Sequence, residues 1–170
     1  MLTGTLTLEG VKMSKSLGNT MTINDALYER NWKPEAIRYF IFSSHYSNPI
    51  DFSDDAIEAA TKGWQRIFSA VSLLRQQMVH AEDGEPTDEI RKLVAETKAA
   101  FEERMNDDFN APAALAVLQD FTRSVNTLAN GDTPLNLGSL HALDELYRQL
   151  GGEVMGIVPD HSEDSSGSAE

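Results

Sequence analysis

A chain of 170 residues with 41% apolar side chains holds one domain, or a small module plus one domain, around its own core. No apolar run approaches the roughly 20 residues of a membrane helix, no basic-then-apolar start marks a secretory signal, and zero cysteine excludes disulfides and thiolate metal sites, which fits a cytoplasmic protein. The net charge of −13 is unevenly placed, with five Lys or Arg against four acids in residues 1–50 but nine against nineteen in 51–158 and four more acids in the last twelve. So acidic a body repels phosphate backbones and argues against generic nucleic-acid binding through a basic face; an anionic ligand is expected within the first fifty residues.

Thr3 to Gly10 alternates polar and apolar residues between two glycines, which predicts a short strand or hairpin arm. Lys12 to Asn19 (KMSKSLGN) is small and polar, a loop, with Gly18 suited to a tight backbone. Thr22-Ile23-Asn24-Asp25 predicts the cap of a short helix containing Ala26 and Leu27. Pro34 opens a helix marked by Ile37, Phe40 and Ile41, and Asn48-Pro49 breaks it. Ser53-Asp54-Asp55 caps a long helix with an apolar stripe through Ile57, Trp64, Ile67, Val71, Leu74 and Met78. After the polar break at residues 82–86, three more helices follow: one through Ile90, Val94 and Phe101, one through Leu115 to Leu128, and a last one from Leu140 to Leu150, ending before Gly151-Gly152.

The fold class expected is therefore mainly α: a small α-β loop element followed by an antiparallel helical bundle. The expected organisation is a loop element at 1–50, a bundle at 51–158 and a disordered acidic tail at 159–170.

Chemistry concentrates in Lys12, Met13, Ser14, Lys15 and Ser16. Two lysines three apart, with two serines and Gly18, form a compact loop able to wrap an anionic group. Lysine supplies a point charge with three donors, and hydroxyl and loop N–H groups add more. Such donors suit charge that grows on a triphosphate during nucleotidyl transfer. On spacing alone, a lysine-serine turn solvated by water is the favoured reading.

The whole run KMSKSLGN resembles the signature loop of class I aminoacyl-tRNA synthetases. Pro34-Glu35-Ala36-Ile37-Arg38-Tyr39-Phe40, Ser44-His45-Tyr46 and Asp51-Phe52-Ser53-Asp54 resemble the segment that follows this loop in cysteinyl-tRNA synthetases. Asn106-Asp107-Asp108-Phe109-Asn110-Ala111-Pro112-Ala113-Ala114-Leu115 is similar to a run in that family's DALR-type helical domain. The resemblance implies that Lys15 contacts ATP, that Lys12 is its companion, and that Met13, Ser14 and Ser16 complete the ATP-binding loop. It further implies cysteine and tRNA(Cys) as partners, through cysteinyl-adenylate and its transfer to the terminal ribose.

The family's HIGH motif and the ligands of its zinc are not in this sequence, and both are expected in a catalytic domain upstream; an anticodon-binding domain is expected downstream. The isolated chain is therefore expected to be inactive, with pyrophosphate exchange at background. Alternatives are the cysteine ligase of mycothiol synthesis, which shares the loop and the adenylate step, and a non-catalytic helical module binding RNA or protein. His45, His80, His141 and His161 are too scattered for a metal site. Asp107 and Asp108 are expected to cap a helix or bond between domains, Arg38 to pair with a carboxylate, and Trp32 and Trp64 to anchor a core or hinge. Leu6, Leu8 and Ile23 are expected to expose apolar surface.

Overall fold

The computed structural model describes residues 4–159. Strands β1 (Leu6–Leu8) and β2 (Val11–Lys12) pair antiparallel through the two-residue turn Glu9-Gly10. Both turn residues have positive φ, +50° and +77°, the mirror-type turn whose twist matches a hairpin. Strand β3 (Ile50–Phe52) runs parallel to β1, with Leu6 opposite Ile50 and Leu8 opposite Phe52, so the sheet order is β2-β1-β3. Parallel strands need a crossover. Here it carries the lysine-serine loop, a π-helical turn Asp25–Glu29, and helix α1 (Pro34–Phe42) with proline in its first turn. Thr22 and Asp25 cap the π-helical turn reciprocally: the Thr22 N–H donates to Asp25 Oδ2 at 2.7 Å, and the Asp25 N–H donates to Thr22 Oγ1 at 3.2 Å.

Four helices form the bundle: α2 (Asp54–Met78), α3 (Asp88–Asn106), α4 (Ala111–Ala129) and α5 (Leu137–Tyr147). Each starts on a side-chain oxygen that accepts an orphan backbone N–H: Ser53, Thr87, Asn110 and Asn136 in turn. The architecture is the expected one, mainly α with a small sheet.

Two apolar clusters hold it together. The larger packs Ile67, Val71, Leu74, Ile90, Leu118, Phe121, Leu140, Leu143 and Tyr147 between the bundle helices. The smaller joins Trp32, Ile37, Phe40 and Phe52 to Ile57 and Ala60 at the start of α2. Helix α2 thus contributes to both clusters and carries the loop element on its N-terminal half. Among the described residues no buried side-chain nitrogen or oxygen lacks a partner. Tyr147 shows the pattern: its hydroxyl donates to Thr122 Oγ1 at 2.9 Å, and burial pushes its ionisation well above the usual tyrosine range.

The last helix departs from expectation. It does not stop before Gly151-Gly152 but runs on as a π-helix, Arg148–Val154. The chain then folds back, with the Ile157 and Val158 N–H groups donating to Gly151 O at 2.7 and 3.1 Å. A Cβ on Gly151 would lie 2.6 Å from Val158 Cγ2, so glycine here permits close approach rather than termination. The tail from residue 160 lies outside the described residues. Among the described residues no helix is long and apolar enough to cross a membrane. Leu6 and Ile23 are exposed, at 48% and 69%, whereas Leu8 is half-buried against the smaller cluster.

Candidate functional site

The lysine-serine loop grows directly out of β2. The Met13 N–H donates to Leu6 O at 3.2 Å, continuing the hairpin ladder by one step, and the Met13 side chain packs on the smaller cluster. Ser14 is extended, and its Oγ accepts from the Leu17 N–H at 3.3 Å, capping a 3-10 turn over Lys15–Leu17. Gly18 closes that turn at φ +64°, donating to Lys15 O at 3.3 Å; an L side chain is strained there. Ser14 Oγ and Ser16 Oγ stand 3.2 Å apart.

Lys12 at the end of β2, Met13, Ser14, and Lys15 and Ser16 in the turn therefore form one short continuous segment. Both lysines are exposed, and among the described residues neither enters an ion pair. Two unneutralised ammonium groups three residues apart, beside two hydroxyls, form an anion-attracting surface on a chain of net charge −13.

Asp51, across the sheet, holds the root of this loop. Its Oδ1 accepts from Thr7 Oγ1 at 2.5 Å and from the Gly10 N–H at 2.8 Å. The hydrogen bond from Thr7, then that from Gly10, holds its carboxyl below the usual 3.8. A lowered folded value means the contribution is complete above the ordinary carboxylate range and is lost as pH falls through the folded value. Asp51→Ala is accordingly expected to speed amide exchange at Gly10 and Val11 at neutral pH. The parent chain should show the same loosening on acidification below about 3.8. Unchanged exchange in the variant would contradict this role.

Arg30 ties the same hairpin to the bundle, reaching Asp54 at 2.9 Å and Glu9 at 3.9 Å while its guanidinium lies 5.2 Å from the Trp32 ring centroid. Three further long-range bonds hold these parts in place, the first of them joining the loop element to the bundle. Tyr46 Oη donates to Asp108 Oδ1 at 2.8 Å, and Tyr46 O accepts from the Gly4 N–H at 2.9 Å. Trp64 Nε1 donates to Ile157 O at 2.8 Å, the anchoring role expected of it.

One sequence expectation is corrected here, and a second is resolved between its two alternatives. Arg38 does not pair with a carboxylate: its Nη1 donates to Gly156 O at 2.9 Å, because the fold-back after the π-helix brings that carbonyl to α1. Asp107 and Asp108 do not cap α4, a task performed by Asn110 Oδ1 on the Ala113 N–H at 3.2 Å. Asp108 instead takes the bond from Tyr46, in a turn where Asp108 and Phe109 both sit at φ +51°. Asp51 and Asn19 are the residues whose local roles spacing did not reveal. Asn19 Oδ1 accepts from the Ser14 N–H at 2.9 Å, and its Nδ2 donates to Lys12 O at 3.0 Å. A carboxamide just after a left-handed glycine was the available signal.

Among the described residues no three His, Asp or Glu side chains converge to ligate a metal. A groove of about 540 Å³ lies between Phe101 and Met105 on α3 and Leu150 and Val154 on the π-helix, with none of the loop residues in its wall. That groove is thus on the bundle, whereas the cationic chemistry is on the loop.

Comparison with known proteins follows the same division. Residues 1–62 match the family model described as the tRNA synthetases class I (C) catalytic domain, and residues 100–159 match the DALR domain. The cysteine–tRNA ligase of Chlorobium luteolum is 35% identical over 158 residues, 93% of this chain and 31% of that protein. The cysteine–tRNA ligase of Halalkalibacterium halodurans is 34% identical over 161 residues, covering 95% of this chain and 34% of the relative. That of Lysinibacillus sphaericus is 36% identical over 155 residues, 91% of this chain and 32% of the relative. The chain spans about a third of the length of these curated relatives. In fold it is similar to part of a LeuRS from Agrobacterium radiobacter K84, solved with tRNA and LeuAMS, at a TM-score of 0.62 and 21% identity over 91% of this chain and 23% of that one. The names of these relatives do not favour the mycothiol ligase alternative.

Proposed function

We propose, from the premise that this chain belongs to the class I cysteinyl-tRNA synthetase family over the portion from its KMSKS loop through its DALR domain, that it supplies the pyrophosphate side of the ATP site and the helical platform behind it. The activity served is ATP-dependent ligation of cysteine to tRNA(Cys). The single observation that carries the reading is the loop geometry: Lys12 and Lys15 leave the two ends of one pinned segment and enter no ion pair among the described residues.

In that reaction a carboxylate oxygen of cysteine bonds to the α-phosphorus of ATP as the bond to pyrophosphate breaks. The leaving group gains charge, and Lys12 and Lys15 neutralise it, with the Ser14 and Ser16 hydroxyls as further donors. No protein nucleophile is required, so the loop contributes placement and charge. Residues for the other side of ATP and for a thiol-selecting zinc are not in this sequence, so no step is assigned to them here. The acidic bundle suits a scaffold, with tRNA contacts made locally or by other parts of the enzyme. A cytoplasmic setting belongs to the same proposal; the absence of cysteine fits it without requiring it.

Titration of the 170-residue chain with ATP, followed by amide chemical shifts, tests the reading. Shifts are expected at residues 12–19, and Lys15→Ala should weaken the response about tenfold, the loss of one charge-assisted contact. Shifts confined to the bundle, or indifference to Lys15→Ala, would refute the assignment.

A further inference from the structure

We infer that Asn19 is the positioning residue of this loop: its carboxamide clamps the two ends of the motif and so sets the loop's affinity for polyphosphate. The inference rests on the ATP-site reading above and deepens it.

Asn19 lies four residues beyond Lys15, and it is half-buried while Lys15, Ser16, Leu17 and Gly18 are exposed. Its Oδ1 receives the Ser14 N–H at 2.9 Å and its Nδ2 reaches Lys12 O at 3.0 Å, so one planar group braces the chain on both sides of Met13. The two partners define the amide orientation, because a backbone N–H can only donate and a carbonyl can only accept. Alanine offers neither function. Aspartate keeps the acceptor for Ser14 but sets a second lone pair against the Lys12 carbonyl.

The consequence is preorganisation. The two lysines flank the braced segment, so the brace sets where their side chains leave the backbone. Without it, Ser14 and the backbone beside it regain freedom that a bound polyphosphate must remove again, and the loss is read as weaker binding. The serine-capped turn over Lys15–Leu17 orders only the far side of the loop, and Gly18 closes it. Asn19 orders the near side, with both ends of its carboxamide engaged by backbone. It therefore acts through the lysines.

The experiment uses the 170-residue chain and inorganic tripolyphosphate, read by amide shifts and amide exchange. In the parent chain the Ser14 amide should exchange well behind that of Ser16. Asn19→Ala should speed Ser14 exchange and weaken tripolyphosphate binding, each about tenfold, with protection across α2–α5 unchanged. Asn19→Asp should recover the Ser14 protection. Tripolyphosphate affinity unchanged in Asn19→Ala, or loss of bundle protection in that variant, overturns the positioning role. Failure of the parent chain to bind tripolyphosphate would overturn the ATP reading itself, before any substitution is made, and the clamp's role with it.

Discussion

Arg75→Met is expected to lower the stability of the bundle by about 3–5 kcal/mol, the loss typical of breaking one side of a buried ion pair. Arg75, in the last turns of α2, donates from Nε to Asp144 Oδ1 at 2.9 Å, and from Nη1 and Nη2 to Pro159 O at 3.3 Å. The two side chains are only 12% and 5% exposed. Asp144 sits on α5, among Leu140, Leu143 and Tyr147 of the larger cluster. Methionine matches the length of the arginine stem, so packing changes little while the guanidinium beside a buried carboxylate disappears. That separates charge from volume.

Urea unfolding followed by circular dichroism gives the number. The double variant Arg75→Met with Asp144→Leu should recover much of the loss, since removing both charges also removes their desolvation cost. Recovery should stop short of complete, because Pro159 O still loses its donors. A single-variant loss under about 1 kcal/mol, the surface-pair range, would mean the pair is effectively solvated.

Gly63→Val is expected to loosen the loop element from the bundle without unfolding the bundle. Gly63 is in the interior of α2, where glycine costs roughly 0.5–1 kcal/mol against alanine. The tolerated cost has a visible reason. A Cβ there would lie 2.6 Å from Tyr39 Oη, and Gln119 Nε2 on α4 donates both to Tyr39 Oη at 3.0 Å and to Gly63 O at 2.9 Å. One glycine thus allows α1, α2 and α4 to meet.

A valine must displace the Tyr39 ring and break the bond from Gln119, a loss of about 1–3 kcal/mol by overpacking. Amide exchange should rise across residues 34–42 and 50–52 while α3 and α5 keep their protection. Adding Tyr39→Leu, which vacates the ring's volume, should restore part of the protection in α1. Uniform loss of protection across the whole chain would instead show that the two clusters unfold as one unit.

The Pro34 start of α1, the Ser53 cap of α2 and the apolar stripes of the bundle are legible in the sequence because they are local. Each depends on contacts between residues three or four apart. The run Lys12 to Asn19 is legible for a different reason: it resembles a family signature as an unbroken string of residues, independent of any tertiary contact. Gly18 was legible too, since a φ of +64° strains other residues.

The partners were not legible. Arg38 meets a carbonyl 118 positions away, Tyr46 meets Asp108 at a separation of 62, and Asp51 reaches back 41 residues to Gly10. Sequence marks each of these side chains as polar and able to bond, and nothing local chooses among the carbonyls and carboxylates within eventual reach. The choice belongs to the docking of α1 on α2 and to the fold-back at Gly151, which are paid for by apolar burial in the two clusters. Those contacts place the backbone, and the hydrogen bonds take whichever partners the packing then brings within about 3 Å.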